Sequence, residues 1–242
     1  MDTSSAAIGD TPPYRPHVGD SRQYWRDIIL GVNDGLVSIF LLVAGVVGGG
    51  LSTSDVLLTA IAGAVAGAIS MASGEYLATK SQDEVFRGEM ALEKEHFAHH
   101  RQREVEELEE LLAELGLHGD VLAAATAQLA ESDESMLKVM MALEFGALEK
   151  ERRSPWMAMA LSGVLFLVGA LPSVVPFFFV TEAKTGLVWA AILAGIGLFA
   201  VGWVKSVVTR ANPLRAGLEN FGVAAGGAGI SYLIGSLYGR VA

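Results

Sequence analysis

QDEVFRGEMALEKEHFAHHRQREVEELEELLAEL, residues 82–115, has the periodicity of a helix, no proline and one glycine, and lies between apolar segments of membrane-spanning length. It is the centre of a block, residues 81–153, that holds 18 Asp/Glu against 8 Lys/Arg. The net of −10 equals the formal charge of the whole chain, so the remainder is neutral. A soluble acidic insert hung on a hydrophobic bundle points to a hard cation that meets the insert first and the membrane second.

The surroundings of the insert decide the class. With 52% hydrophobic residues and a mean hydropathy of +0.43, the chain is too apolar for an ordinary soluble domain. Five stretches, approximately 28–50, 56–79, 156–180, 186–208 and 216–239, each reach the roughly 20 residues that a bilayer requires. A short LSTSD turn at 51–55 joins the first two. Ser154-Pro155 opens the third, and Pro172 and Pro176 must kink or end it. Residues 1–23, rich in small polar residues and proline, read as a disordered tail without the apolar core of a signal peptide. The acidic pI near 4.9 argues against nucleic acid, and the lack of cysteine removes disulfides and thiolate metal sites. The expected fold is therefore all-α and polytopic. Helices one and two occupy 24–80, a three-helix metal-binding insert 81–153, and helices three to five 154–242.

With the N-terminus inside, every Lys and Arg except Lys184 and Arg240 falls on the inner side, which makes the insert cytoplasmic. Glycines recur four apart, at Gly31/Gly35, Gly45/Gly49, Gly63/Gly67 and Gly222/Gly226, a spacing that lets helix backbones approach closely. The pairs suit packing within one subunit and, with an odd number of spans, a homodimer.

Two carboxylates lie inside the spans. Asp34 in GVNDGLVS is deep in the first, and Glu75 in SMASGEYL is closer to the inner end of the second, with Met71 one turn deeper. The two helices run antiparallel, so the rise of about 1.5 Å per residue brings Asp34, Met71 and Glu75 to similar depth. Charge at that level is expensive and marks an ion pathway unless it is paired or reaches the headgroups. The same carboxylates can exchange a proton for a metal ion.

In the insert, a continuous helix turning about 100° per residue places Glu89, Glu93, His96, His100, Glu104 and Glu107 in a sector of about 80°. That sector borders the apolar seam of Phe86, Met90, Phe97, Leu108 and Leu115, whereas Glu106, Glu109, Glu110 and Glu114 suit a solvated face. Carboxylates beside an apolar seam repel one another unless a cation lies among them. A second helix follows at about 119–128 and a third from about 132, on which Met140 and Glu144 share a face and can close the site. Oxygen and imidazole donors with a thioether suit Fe²⁺, Mn²⁺, Co²⁺ or Zn²⁺ over Ca²⁺ or Mg²⁺. His99 and His118 read as surface residues. Glu93-Lys-Glu-His96 also has the E-x-x-H spacing of ferritin-like di-iron sites, in one copy where that fold uses two.

The motifs DIILGVNDGLVS at 27–38, GAISMASGEY at 67–76 and GALPSVVPFFF at 169–179, with the acidic insert between, resemble the vacuolar iron transporter family from about Tyr24 to the C-terminus. The resemblance implies a homodimer with five spans per subunit, a translocation path at the subunit interface, and export of Fe²⁺ or similar ions from the cytosol against protons. Asp34 and Met71 match its pathway positions, and Glu75 belongs to the same motif. Glu93, Glu104, Glu107, Met140 and Glu144 match its metal-binding pattern, with His96 where the family has a glutamate; Glu89 and His100 are possible additional ligands. The implied protein is a transporter and not an enzyme. It has no permanently bound cofactor, the metal being substrate, and its partners are metal ions, protons and lipid. The short polar tail is compatible with a bacterial inner membrane. The competing readings are a membrane-anchored iron oxidase or store built on Glu93 and His96, and a metal sensor.

Overall fold

The computed structural model describes residues 22–144, 153–209 and 212–241. Their regular structure is helical throughout: α1 (Arg22–Gly48), α2 (Thr53–His99), α3 (Arg101–Glu114), α4 (Gly119–Ala130), α5 (Asp133–Glu144), α6 (Pro155–Val174), α7 (Ala183–Thr209) and α8 (Pro213–Tyr238). A 3₁₀ turn, Val175–Phe178, follows α6. Residues 1–21, most of the expected tail, and 145–152, the last stretch of the expected insert, lie outside the described residues.

Local chemistry fixes the helix ends. Gly50, at φ +81°, turns the chain after α1. Ser52 then caps α2: Asp55 N–H donates to Ser52 Oγ at 3.3 Å, and Ser52 Oγ–H donates to the Asp55 carboxylate at 2.6 Å. Pro155 and Pro213 sit in the first turns of α6 and α8, where a missing N–H costs nothing. Asn212 Oδ1 accepts from Leu214 and Arg215 N–H at 3.0 and 3.3 Å. Pro172 lies inside α6, two residues before its end, and Pro176 falls in the 3₁₀ turn, so the prolines terminate this span near its far end.

Among the described residues, five helices are long and apolar enough to cross a membrane: Trp25–Gly48, Thr53–His99, Pro155–Phe178, Ala183–Ser206 and Pro213–Tyr238. α1 is their centre, packed against α2, α6, α7 and α8. Leu36, Ile39, Phe40, Val43 and Val47 of α1 meet Val56, Ala60 and Ala64 of α2, Phe166 and Ala170 of α6, and Ala190, Ala194 and Leu198 of α7. Glycine sets the closest approach. A Cβ at Gly35 would come within 2.1 Å of the Phe166 carbonyl oxygen, and one at Gly169 within 2.2 Å of that of Val32, so α1 and α6 touch backbone to backbone. A Cβ at Gly31, Gly45, Gly49, Gly63 or Gly67 would also meet atoms of the same chain, whereas one at Gly222 or Gly226 would meet none among the described residues within 4 Å beyond its own helix. The outer surface is apolar, with Leu58 68% and Ile196 63% exposed, as a lipid-facing surface requires.

At 47 residues α2 is about 70 Å long, more than twice the hydrocarbon thickness. Its first half is the second span; its second half stands out beyond the bundle as the first helix of the insert. The insert differs from the three-helix expectation in one respect. The helix expected to run unbroken through 82–115 stops at His99, and α3 starts at Arg101, so four helical segments build the described part of the insert. His100 N–H donates to His96 O at 2.6 Å, and Arg103 N–H donates to His100 O at 2.9 Å, so the break sits on one residue at φ −132°. Neither proline nor glycine causes it. The turn brings Leu108 and Leu112 of α3 back against Phe97 of α2 and Met136 and Met140 of α5, closing a separate apolar core. Arg101 pins the corner, with its guanidinium 5.5 Å from the Phe97 ring centre and hydrogen-bonded to Asp133 and to Ala130 O.

Candidate metal centre

The break at His100 creates the site. Glu93 and His96 lie one turn apart near the end of α2, and Glu104 lies in the first turn of α3. Folding α3 back brings ligand atoms of Glu93, His96 and Glu104 within 4.8 Å of one another. His96 Nδ1 lies 3.2 Å from Glu104 Oε1. Glu93 is 6% exposed and Glu104 2%, yet among the described residues Glu93 Oε2 and Glu104 Oε2 have no hydrogen-bond partner. Two orphaned carboxylate oxygens in a buried pocket are costly, and a bound cation is the direct remedy.

The electrostatics agree. Burial, then the charges of Glu104 and Glu144, push the Glu93 carboxyl up to about 7, and Glu107 adds to the effect. Hydrogen bonding between the Glu93 and Glu144 carboxyls favours the protonated form of Glu93 and the ionised form of Glu144. Burial raises Glu144 as well, helped by the charges of Glu107, Glu104 and Glu89. The pocket therefore holds a proton near neutral pH that an arriving cation must displace.

Each expected ligand has a definite place. Glu93, His96 and Glu104 form the cluster. Glu144, at the end of α5, reaches it through Glu93, and half-buried Glu107 and Glu89 add negative potential. Met140 is fully buried in the insert core beside Met136. His100 is exposed at the break, its ring 6.2 Å from that of His96. Glu106, Glu109, Glu110, Glu114, His99 and His118 are exposed, as the helical pattern predicts.

In the membrane bundle the picture is different. Asp34 is half-buried, and its carboxylate accepts from Ser38 Oγ on the same helix at 2.9 Å. Met71 packs against the membrane core. Glu75 is held by charge: Arg153 Nη2 donates to its Oε1 at 3.0 Å, and Arg26 Nη2 lies at 3.5 Å. Arg153 also donates to Asp27, whose side chain is 3% exposed. Asp27, Arg26 and Arg153 did not stand out in the sequence. Asp27 opens the DIILGVNDGLVS motif and Arg153 directly precedes Ser154-Pro155, but neither position reveals a partner more than a hundred residues away. Tyr76 and Trp156 pack beside this cluster in sequence, their ring centres 4.9 Å apart, in keeping with a membrane-interface belt.

Comparison with known proteins fits this architecture. The VIT family model matches residues 25–236. A tulip protein named vacuolar iron transporter 1 is 32% identical over 194 residues, 80% of this chain and 78% of its own length. The Arabidopsis thaliana protein of the same name is 31% identical over the same shares. Yeast Protein CCC1 is 30% identical over 183 residues, 74% of this chain and 56% of its own. With five membrane-length helices and an acidic insert between the second and third, the chain belongs to the VIT family.

Proposed function

We propose that the protein exports divalent iron, and manganese or related ions with it, from the cytosol in exchange for protons. The observation that carries the reading is the pair of orphaned, buried oxygens of Glu93 and Glu104 beside His96. The insert lies on the cytosolic side and captures the ion there. Glu93, His96 and Glu104 are its first ligands, and Glu107, Met140 and Glu144 complete the set. Capture displaces the proton that the raised Glu93 carboxyl holds near neutral pH, so loading itself is coupled to protons. Asp34, Met71 and Glu75 then pass the ion through the bundle, in a homodimer whose path lies between subunits. The names of the tulip and Arabidopsis relatives support iron as cargo. Mixed oxygen and imidazole ligation suits Fe²⁺, Mn²⁺ and Zn²⁺.

The test is uptake of Fe²⁺ or Mn²⁺ into proteoliposomes or inside-out vesicles, with and without a pH gradient. Accumulation should require the protein and rise with an acidic lumen. No accumulation under either condition, from protein that elutes as a folded species, overturns the reading.

A further inference from the structure

The cluster at the inner end of the bundle has a composition that ion export alone does not explain. Two carboxylates, Asp27 on α1 and Glu75 on α2, share the Arg153 guanidinium, which enters from the residue just before α6 and its cap. The Asp27, Arg153 and Glu75 side chains are 3, 11 and 17% exposed, whereas Arg26, the other cation, is 60% exposed. The most enclosed positive charge is thus a protein group, set between two carboxylates one turn from Met71. Arginine suits the place, because its planar fork serves two carboxylates at once.

We infer that Arg153 is a tethered counter-ion that sets the affinity of this mouth for the passing divalent cation. With both arginines in place the four groups are formally neutral, so a cation is neither held nor repelled. Without Arg153 two enclosed carboxylates share one exposed arginine, and a divalent ion should lodge there. Without the Asp27 charge the balance turns positive, and the ion should be kept out. A purely structural clamp makes a different demand, because loss of either partner should damage the bundle in the same direction. The inference rests on the export reading for its transport arm only.

The decisive comparison uses the full-length protein with Mn²⁺ as probe. Arg153→Gln should lower the KM for Mn²⁺ and lower the maximal rate, and Asp27→Asn should raise the KM. An enclosed opposite charge shifts such equilibria by roughly tenfold or more. Arg153→Lys keeps the charge and should leave the KM within about twofold, whereas a clamp that needs the fork should fail. A binding isotherm in detergent, with Glu93→Gln and Glu104→Gln silencing the insert, reads the same site without transport. There Arg153→Gln should gain Mn²⁺ affinity and the further change Asp27→Asn should abolish the gain. Failure of the unaltered protein to transport counts against export and leaves this isotherm to decide. KM shifts of the same sign in both variants, or no gain in the isotherm, overturn the inference. If Arg153→Gln aggregates, Asp27→Asn decides alone, an unchanged or lower KM being the adverse result.

Discussion

His96 and Glu104 meet at 3.2 Å across a helix break, the imidazole from the end of α2 and the carboxylate from the first turn of α3. On an unbroken helix, residues eight apart stand about 12 Å apart along the axis. The contact exists because α3 folds back at His100, and the site is therefore as stable as the core beneath it.

Replacing Glu93 by Gln separates binding from folding. The neutral amide removes a buried charge, so the metal-free protein should melt at a higher temperature. Mn²⁺ affinity of the insert should fall by at least tenfold, since a ligand oxygen is lost. Thermal unfolding and isothermal titration of the same preparation check both.

The pH dependence has a fixed sign. Glu93 has its ordinary value of 4.5 unfolded and about 7 folded. A carboxyl whose pKa rises on folding takes up a proton between those values. Its contribution is thus fully present below the unfolded value and is lost as pH rises through about 7. The metal-free protein should melt lower at pH 8 than at pH 6. Mn²⁺ at pH 8 should restore the difference, and Glu93→Gln should flatten it.

His96→Glu tests metal choice. Carboxylate in place of imidazole adds negative charge to a pocket already crowded with Glu93, Glu104 and Glu144. The metal-free form should lose stability, and affinity for Mn²⁺ should rise relative to Zn²⁺. Competition titrations with the two ions provide the readout.

Asp34→Asn should abolish Mn²⁺ accumulation in proteoliposomes while the insert keeps its affinity, because Asp34 lies in the bundle and contacts only Ser38 among its described hydrogen-bond partners. Equal loss of insert binding would show that the two regions do not act separately.

Gly35→Leu should cost roughly 3 kcal/mol or more of stability, beyond ordinary overpacking, because the new Cβ meets the Phe166 carbonyl, a backbone group that cannot rotate away. The melting temperature in detergent is the measure.

Legibility followed the range of the forces involved. The spans, the turn at 51–55, the helix start at Ser154-Pro155 and the outward Glu106, Glu109 and Glu110 are set by nearest neighbours and helical period, and each could be read residue by residue. The acidic stripe was visible for the same reason, although its geometry was not: the wheel that grouped Glu93 with Glu104 assumed one straight helix. Fold-back at His100 still leaves both residues buried next to Phe97 and Leu108 of the apolar core. The partnership of Arg153 with Asp27 and Glu75 left no local trace, since 126 and 78 positions separate the pairs.

By itself, then, the sequence determined which segments are long and apolar enough to cross a membrane and which carry the acidic charge, because transfer free energy is summed along the chain and needs no knowledge of neighbours. Only the tertiary structure decided where α2 ends and α3 begins, which carboxylate oxygens are left without a partner, and which arginine faces Glu75. Those depend on burial and on charge at a few ångströms, and both exist only once distant helices have packed.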